Sequence, residues 1–184
     1  PESLNLDSQT DFVGYENSSS SSSIVKIISQ TKENFLEEEQ EGIFIIKETP
    51  FYAESGGQVG DKGIITSDTN LFEVYDTQKK GDHFLHLGVV KSGVFKEGDS
   101  VFAEIDSTHR ERVSNNHSAT HLLHSALRET LGTHVEQKGS LVDQYKLRFD
   151  FSHKGPINEK EISKIEQVVQ AVSYTHLRAH ETKA

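Results

Sequence analysis

Short hydrophobic stretches, separated by glycine and aspartate, occupy the middle of the chain. They are rich in β-branched or aromatic residues and lie at 43–46, 63–66, 71–75, 84–90 and 101–105, with Gly-Asp pairs at 60–61, 81–82 and 98–99. Such stretches are typical of β-strands, and Gly-Asp pairs are typical of the turns between strands. Because no helical period separates the stretches, they favour a small antiparallel barrel over residues 31–106.

The hydrophobic period changes after position 106. Over 116–131 the apolar residues follow one face of a helix, at Ala119, Leu122, Leu123, Ala126 and Leu127. Asn115 or Asn116 is a suitable N-terminal cap, and Gly132 is placed to end the helix. A helix over 116–131 is therefore predicted.

The remainder of the chain adds a strand and a second helix. Hydrophobic and polar residues alternate over 146–152, which predicts a half-buried strand. Asn158, with Glu161 three positions later, forms a capping box for a helix over 158–172. The fold class we expect is α+β, a small antiparallel β-barrel followed by an α+β unit over 107–172.

Residues 1–23 are polar and end in an unbroken serine run at 18–23, and a short apolar stretch follows at 24–28. A run without apolar periodicity and with high backbone freedom is typical of a linker or a loop insertion. We therefore interpret residues 1–30 as an upstream segment and a Ser-rich linker. The chain has 184 residues, contains no methionine and begins with Pro1, so we expect a fragment of a longer protein.

Composition excludes several classes of function. The chain has no cysteine, which rules out disulfide scaffolds, cysteine-rich zinc modules and thiol nucleophiles. Its formal net charge of −10 argues against a free-standing nucleic-acid binder, because phosphate contacts need clustered lysine and arginine. No apolar run approaches the roughly 18 residues of a membrane span, so we expect no membrane partner.

Three histidines share one face of the first predicted helix. At about 100° per residue, His117, His121, His124 and Arg128 lie within a sector of roughly 60° opposite the apolar stripe. Two imidazoles at positions i and i+4 of a helix can bridge one zinc ion, which prefers four ligands. His117 and His121 are thus half of a structural site or most of a catalytic one. On spacing alone, a polar helix face that contains histidines by chance is the favoured alternative.

The segment 51–63 combines bare backbone with polar side chains. Glycine permits positive φ and a close approach of the backbone to a ligand, and this segment holds Gly56, Gly57, Gly60 and Gly63 together with Glu54, Gln58 and Asp61. It is not a phosphate loop, because no Lys-Ser or Lys-Thr follows at the required spacing. A pair of tight barrel turns is the favoured alternative. Gln137, just beyond the predicted helix, would return near the histidine face on a strand.

Three stretches together resemble one family. They are TPFYAESGGQVGDKG (49–63), NHSATHLLHSALRETLGTHVEQKGSLV (116–142) and LRFDFSH (147–153). In this order they resemble the editing domain of alanyl-tRNA synthetases and the related free-standing alanyl-tRNA editing proteins, over roughly residues 31–172. The upstream DSQTDFVGYE (7–16) also resembles the segment that precedes this domain in the synthetase, which favours the synthetase over the free-standing protein.

The resemblance implies a hydrolase within a ligase that joins alanine to tRNA using ATP. The expected reaction removes serine or glycine from the mischarged 3′ end of alanine tRNA. An alanine pocket cannot exclude the smaller glycine by size, and it discriminates only modestly against the added hydroxyl of serine, so a second site must remove the errors. The expected partners are this tRNA and the rest of the synthetase chain. The expected compartment is the cytoplasm, although organellar synthetases share this domain.

The resemblance also implies roles for individual residues. His117 and His121 match the first two zinc ligands of the family, and Gln137 matches a polar residue of its editing centre. Glu54 and Gln58 are further catalytic candidates, and the expected aminoacyl pocket is lined by Gly56, Gly57, Gly60 and Asp61. The family completes its zinc shell with a downstream Cys-x-x-x-His pair, which this sequence lacks.

Three expectations remain open at this stage. Residues 173–184 do not resemble the family's continuation, and we interpret them as a foreign tail in which His176 and His180 repeat the His-x-x-x-His spacing by chance. A free-standing trans-editing deacylase is one alternative to the synthetase fragment. A non-catalytic tRNA-binding module that kept the fold is the other.

Overall fold

The computed structural model describes residues 9–181, with side chains as far as Ala171. Residues 1–8 of the predicted upstream segment lie outside this description. The first strands are β1 (Asp11–Phe12), β2 (Ser19–Ile28), β3 (Phe35–Glu37), β4 (Glu41–Ile46) and β5 (Glu48–Thr49). They are followed by β6 (Gly63–Ser67), β7 (Asn70–Lys80), β8 (His83–Ser92), β9 (Val94–Lys96) and β10 (Ser100–Ile105). Helix α1 (Ser107–Leu131), strands β11 (Gln137–Val142) and β12 (Leu147–Phe151), and helix α2 (Glu159–Glu181) complete the order.

Six of these strands close into a barrel, in the order β10-β2-β4-β8-β7-β6. Every neighbouring pair around the barrel is antiparallel, and β6 returns to β10 to close it. The predicted fold class, an antiparallel barrel followed by an α+β unit, is confirmed. Closure leaves none of the six strands with a free edge.

The predicted Ser-rich linker is wrong for residues 19–28, because they form the barrel strand β2. Ser19–Ser23 pair with Glu104–Ser100 of β10. The Ser22 hydroxyl accepts a hydrogen bond from the Glu48 backbone N–H at 2.8 Å. Its serine half is held by pairing with β10, and its second half pairs with β4 and buries Ile24 and Ile27, so the barrel begins before the predicted boundary at residue 31.

Phenylalanine rings fill the interior of the barrel. The rings of Phe44 and Phe72 stack with centroids 3.9 Å apart, and Phe95 meets Phe44 edge-on at 5.3 Å. The same cluster includes the buried residues Ile24, Ile27, Leu36, Ile46, Phe51, Ile65, Val74, Val90, Val101, Ala103 and Ile105. These residues come from all six barrel strands, so the core joins sequence-distant parts of the chain.

A buried histidine lies beside this core in a defined tautomer. His86 is fully buried, and its Nδ1 lies 2.9 Å from the carbonyl oxygen of Phe44. Because a carbonyl only accepts, Nδ1 carries the proton, and Nε2 accepts from the Thr49 hydroxyl at 2.7 Å. The Thr49 oxygen in turn accepts the Phe51 N–H at 3.1 Å. Burial lowers the pKa of His86 to about 4, although the bond to Phe44 partly opposes the shift.

We expect this histidine to make the fold sensitive to acid. The folded pKa of about 4 lies below the ordinary value of 6.5, so the unfolded chain binds the proton first and stability falls as the pH decreases from 6.5 towards 4. The expected loss between pH 7.5 and pH 5 is about 2 kcal/mol. The free energy of unfolding of His86→Gln, measured with urea, should depend less on pH than that of the unchanged chain. The variant His134→Gln, at an exposed site, should show the same change of unfolding free energy with pH as the unchanged chain. If His86→Gln also showed that change, the prediction would be contradicted.

Helix α1 begins earlier than predicted. Asp106 caps it, since its Oδ1 accepts the backbone N–H of His109 at 2.9 Å. The predicted start at 116 is wrong, because the first turns carry few apolar side chains and show no hydrophobic period. The predicted end is confirmed by Gly132, which has φ +116° and donates its N–H to the Arg128 carbonyl at 3.0 Å.

The remaining elements pack around a second core. Asn158 and Glu161 form the predicted capping box, with reciprocal bonds of 2.9 and 3.0 Å. The core is formed by Ala126, Leu127, Val135 and Ile165, with Leu123, Leu131, Phe149, Phe151, Ile157, Val168 and Val169 packed against it. It therefore joins α1, the β11–β12 hairpin and α2.

Helix α2 continues past its predicted end at residue 172, as far as Glu181. Most of the segment interpreted as a foreign tail, 173–184, thus has a helical backbone. His176 and His180 lie outside the residues whose side chains are described. None of the helices in the described part of the chain has the length and apolar character needed to cross a membrane.

The chain divides into two compact units. The barrel unit comprises the residues up to Ser55 together with Val59–Arg110, and the second unit comprises Gly56–Gln58 together with the chain from Glu111 onward. The glycine-rich segment is therefore split between the two units.

Candidate functional site

The predicted site residues fall into two groups. Gly56, Gly57 and Gln58 belong to the second unit, as do His117, His121 and Gln137. The remaining three, Glu54, Gly60 and Asp61, belong to the barrel unit. The second unit thus contains both the histidine pair and the predicted polar residue of the editing centre, and it forms the candidate site.

The segment Gly56–Gln58 joins the edge of β11. The Val142 N–H donates to the Gly57 carbonyl at 2.8 Å, and Gln58 forms a parallel bridge with Val142. Gly56 and Gly57 have φ values of +60° and +86°, a region that glycine adopts without steric cost. A side chain at Gly57 would collide with the Ser140 carbonyl and hydroxyl oxygens. Glycine is therefore required at position 57 for this close approach.

Ser140 connects Gln137 to the glycine segment. The Gln137 side-chain Nε2 donates to the Ser140 hydroxyl oxygen at 3.2 Å, and that hydroxyl donates to the Gly56 carbonyl at 3.2 Å. The amide oxygen of Gln137 takes no part in this bond. A β-bulge lies between Gln137 and Gly139, and bulges commonly redirect a side chain next to a functional site. Ser140 thus links the Gln137 side chain to the backbone of the glycine segment, a connection that the sequence did not predict.

The hairpin also meets the histidine face of α1. Ser140 lies directly opposite Phe149 across the β11–β12 pair, and opposite residues on one sheet face are near neighbours. The Phe149 ring packs against the His124 ring with centroids 5.1 Å apart. Nearer the start of the helix, Asn116 donates its side-chain amide to the Asp143 carbonyl at 2.8 Å. Through these contacts, the face of α1 that carries His124 packs against the β11–β12 hairpin, in which Ser140 lies on β11.

His117 and His121 meet ring to ring on that helix. Their Nε2 atoms are 3.0 Å apart. At this distance, one Nε2 carries a proton and donates a hydrogen bond to the other Nε2. Two nitrogens bound to one tetrahedral zinc at about 2.0–2.1 Å would lie slightly further apart, at about 3.3 Å. A small rotation of the rings therefore makes both nitrogens available to one ion.

The donor set fits part of a zinc shell. The His117 Nδ1 is buried without a hydrogen-bond partner, whereas metal-bound histidines usually donate their second ring proton to an acceptor. Within the described part of the chain, no group of three or more His, Asp or Glu is placed to hold a metal ion. The two imidazoles are donors of the kind zinc prefers, and they are two of the four ligands that a tetrahedral zinc ion takes.

Lysine and glutamate flank Gln137. Lys138 donates to Glu136 at 2.9 Å. The hydrogen bond and charge of Lys138 hold the pKa of the Glu136 carboxyl below its ordinary value. The exposed ammonium group next to Gln137 is thus partly neutralised.

Asp61 is buried in the barrel unit and forms an ion pair there. Its Oδ2 accepts the Tyr52 N–H at 2.7 Å and the Arg110 Nε–H at 3.0 Å. Gly60 lies against Thr77, where a Cβ would collide with the Thr77 backbone. Glu54 has an exposed side chain and donates its backbone N–H to the Thr77 carbonyl at 2.8 Å. These contacts favour a structural role for Asp61 and Gly60, and the predicted roles of all three in substrate binding or catalysis remain predictions.

Two residues important to these arrangements were not predicted. Ser140 was part of a recognised stretch, but nothing in its type or spacing distinguishes it from the other serines of the chain. Arg110 lies outside every recognised stretch, and its partner Asp61 is 49 positions earlier. Only the folded chain shows that these residues meet distant partners.

Comparison with known proteins identifies the family. The family model for tRNA synthetases class II (A) matches residues 2–109. The alanine–tRNA ligase of Idiomarina loihiensis is 48% identical over 169 residues, which is 91% of this chain and 19% of that protein. The alanine–tRNA ligase of Albidiferax ferrireducens is 49% identical over 163 residues, with 88% and 19% covered, and that of Dichelobacter nodosus is 48% identical over 162 residues, with the same coverage.

The matches extend across both units, because the family model covers the barrel and the relatives also cover most of the second unit. The chain spans about a fifth of the length of these curated relatives. It is therefore similar to one portion of each alanine–tRNA ligase. With more than half of its residues matched by the family model, the chain belongs to the tRNA synthetases class II (A).

Proposed function

We propose that the second unit hydrolyses the ester bond of mischarged seryl- or glycyl-tRNA, as the editing portion of an alanine–tRNA ligase. The observation that supports this most directly is the contact series Gln137–Ser140–Gly56. It sets a side-chain amide beside bare glycine backbone, in the same unit as a pair of adjacent histidines. The relatives named alanine–tRNA ligase support the parent reaction, which joins alanine to its tRNA using ATP.

The reaction needs little more than positioning. Water attacks the carbonyl carbon of the aminoacyl ester, the bond from that carbon to the ribose oxygen breaks, and free amino acid and tRNA are released. The Gln137 amide oxygen is free to accept from the amino group of the ester or from the attacking water. Holding a reactant in a near-attack arrangement contributes much of the rate in such reactions.

The glycine segment would select small aminoacyl groups. Gly56 and Gly57 present backbone without side chains beside Ser140. The Ser140 hydroxyl is fixed between Gly56 and Gln137, so it can also meet a polar group of the substrate. Such a surface suits the serine and glycine esters that an alanine pocket admits in error.

His117 and His121 would hold a zinc ion through their Nε2 atoms. When bound, zinc supplies a positive charge that attracts electrons from a coordinated group. The other zinc ligands would come from the rest of the synthetase, and the acceptor stem would come from the tRNA substrate. His121 is exposed, so a substrate can reach the pair.

The test is a deacylation assay of this chain with seryl-, glycyl- and alanyl-tRNA in the presence of zinc. We expect selective hydrolysis of the seryl and glycyl esters, and a loss of about 10²-fold in rate for Gln137→Ala. His117→Ala should reduce both the rate and the zinc content. Gln167→Ala, which changes an exposed glutamine of α2 in the same unit, is the matched control and should retain full activity.

Two outcomes would argue against editing. Equal rates for Gln137→Ala and the unchanged chain, or equal hydrolysis of seryl and alanyl esters, would remove the proposed role of the site. Retained tRNA binding in that case would favour a non-catalytic tRNA-binding module.

A further inference from the structure

Three large apolar side chains lie exposed on one wall of the barrel. They are Ile64, Tyr75 and Phe102, with 36%, 42% and 43% of their surfaces accessible. Their strands β6, β7 and β10 are neighbours, with β6 in the middle. Single exposed apolar residues are ordinary on protein surfaces, but contiguous ones often mark an interaction site.

The strand register makes the three side chains neighbours. Ile64 lies opposite Glu104 on one side and opposite Glu73 on the other. Phe102 and Tyr75 are each two residues from those partners, so each is a diagonal neighbour of Ile64 on the same face. Diagonal neighbours lie roughly 7–8 Å apart, within reach of aromatic rings. The three residues therefore form one outer stripe across the barrel wall.

Tyr75 lies outward by the ordinary alternation of β7, in which Phe72 and Val74 are buried and Glu73 and Tyr75 are exposed, and a β-bulge begins there. The pairing of β7 with β8 shifts between Val74, opposite Gly88, and Asp76, opposite Leu87. The extra residue is Tyr75, and after it the inward positions move from Val74 to the buried Thr77. Bulges are specific features that redirect side chains. Here the bulge moves the next inward position to Thr77, so the barrel wall continues beyond the outward Tyr75.

Acidic side chains border the stripe. A groove of about 510 Å³ runs beside it, and its lining includes Ile64, Leu71 and Tyr75 with Glu73, Glu104 and Asp106. Lys62 is the single basic residue among the groove-lining residues. Burial and the nearby carboxylates of Glu41 and Asp76 raise the pKa of Tyr75, which is consistent with negative potential at this end of the stripe.

We propose that the outer stripe is a docking surface for a basic amphipathic protein segment, one that presents apolar side chains between lysines or arginines. The stripe supplies the apolar contact and the acidic border supplies charge complementarity. The same border repels the phosphates of tRNA and of anionic lipid headgroups. The segment belongs to the rest of the synthetase, because the relatives are about five times as long as the portion that this chain spans.

The test uses overlapping 15-residue peptides that cover the Idiomarina loihiensis alanine–tRNA ligase outside the matched portion. Each peptide is titrated into the full chain by fluorescence anisotropy. We expect binding by peptides that combine apolar residues with lysine or arginine, weakened by salt. Ile64→Ser and Phe102→Ser should each weaken binding about tenfold. Glu104→Lys should weaken it further while leaving the apolar surface unchanged.

The matched control is Val94→Ser, which changes an apolar residue of the same unit that is 38% exposed and lies on β9. It should bind the peptides as the unchanged chain does. Far-ultraviolet circular dichroism checks that each variant is folded. The proposal is overturned if no peptide binds, if acidic peptides bind equally well, or if Val94→Ser weakens binding as much as Ile64→Ser does. Sedimentation showing that the stripe instead joins two copies of this chain would also overturn it.

Discussion

Replacing Asp61 by asparagine is expected to lower the free energy of unfolding by about 3–4 kcal/mol. The substitution keeps the shape of the side chain and removes its charge, which leaves the Arg110 guanidinium without its anionic partner. Breaking a buried ion pair by removing one partner typically costs about 3–5 kcal/mol. The lower part of this range applies because a quarter of the Arg110 side chain remains exposed, whereas only 4% of Asp61 does.

The effect is large because Arg110 joins three separate parts of the barrel unit. Its guanidinium donates to the Gly14 carbonyl at 2.7 Å, to the Pro50 carbonyl, and to Asp61 through two nitrogens. Asp61 also accepts the Tyr52 N–H. Loss of the carboxylate therefore removes the charge balance of a cluster whose other acceptors are neutral carbonyls.

Urea unfolding followed by circular dichroism measures the change. Arg148→Ala is the matched control, since Arg148 pairs with Asp150 at 3.2 Å on the surface, where both side chains are about half exposed or more. Such pairs contribute about 0–1 kcal/mol. The double variant Asp61→Asn with Arg110→Gln should cost less than the sum of the two single variants, because it leaves no unpaired charge. A loss below about 1 kcal/mol for Asp61→Asn would contradict the assignment.

Strands with their own hydrophobic pattern could be predicted from the sequence, and those without it could not. The five predicted stretches correspond to strands because β-branched and aromatic residues indicate a pleated, half-buried surface. Ser19–Ile28 begins with five serines, and only the neighbouring strands reveal that this backbone is paired. The start of α1 was missed for a related reason, because its first turns have almost no apolar residues and only the Asp106 cap marks them.

The candidate site was predictable in its residue types but not in its connections. The resemblance identified Gln137 and the glycines, and the structure shows that Ser140 joins them. The resemblance also placed Asp61 in the expected aminoacyl pocket, a role that remains a prediction. Asp61 is buried because Arg110, distant in sequence, returns to it. Local pattern contains no information about such long-range partners.

The second large effect is expected at the glycine segment, where Gly57→Ala should reduce seryl-tRNA deacylation by about 10²-fold or more. Gly57 has φ +86°, which is strained for alanine, and the added Cβ would collide with the Ser140 carbonyl and hydroxyl oxygens. Backbone atoms cannot move aside as a flexible side chain can. The collision therefore separates the glycine segment from β11 and breaks the bond between Ser140 and Gly56, so Gln137 loses its fixed support.

Gly56→Ala is the matched control one residue away. Gly56 also has a positive φ, +60°, but a Cβ there meets no atom within 4 Å. Alanine at 56 thus carries backbone strain of about 1–2 kcal/mol without a collision, and its deacylation rate should fall much less than that of Gly57→Ala. The deacylation rates of both variants are compared at a temperature where circular dichroism shows each to be folded. This comparison distinguishes the effect of the collision from the effect of backbone strain. Equal losses in the two variants would mean that backbone strain alone controls the activity. An unchanged rate in Gly57→Ala would mean that the approach of this segment to Ser140 has no part in the reaction.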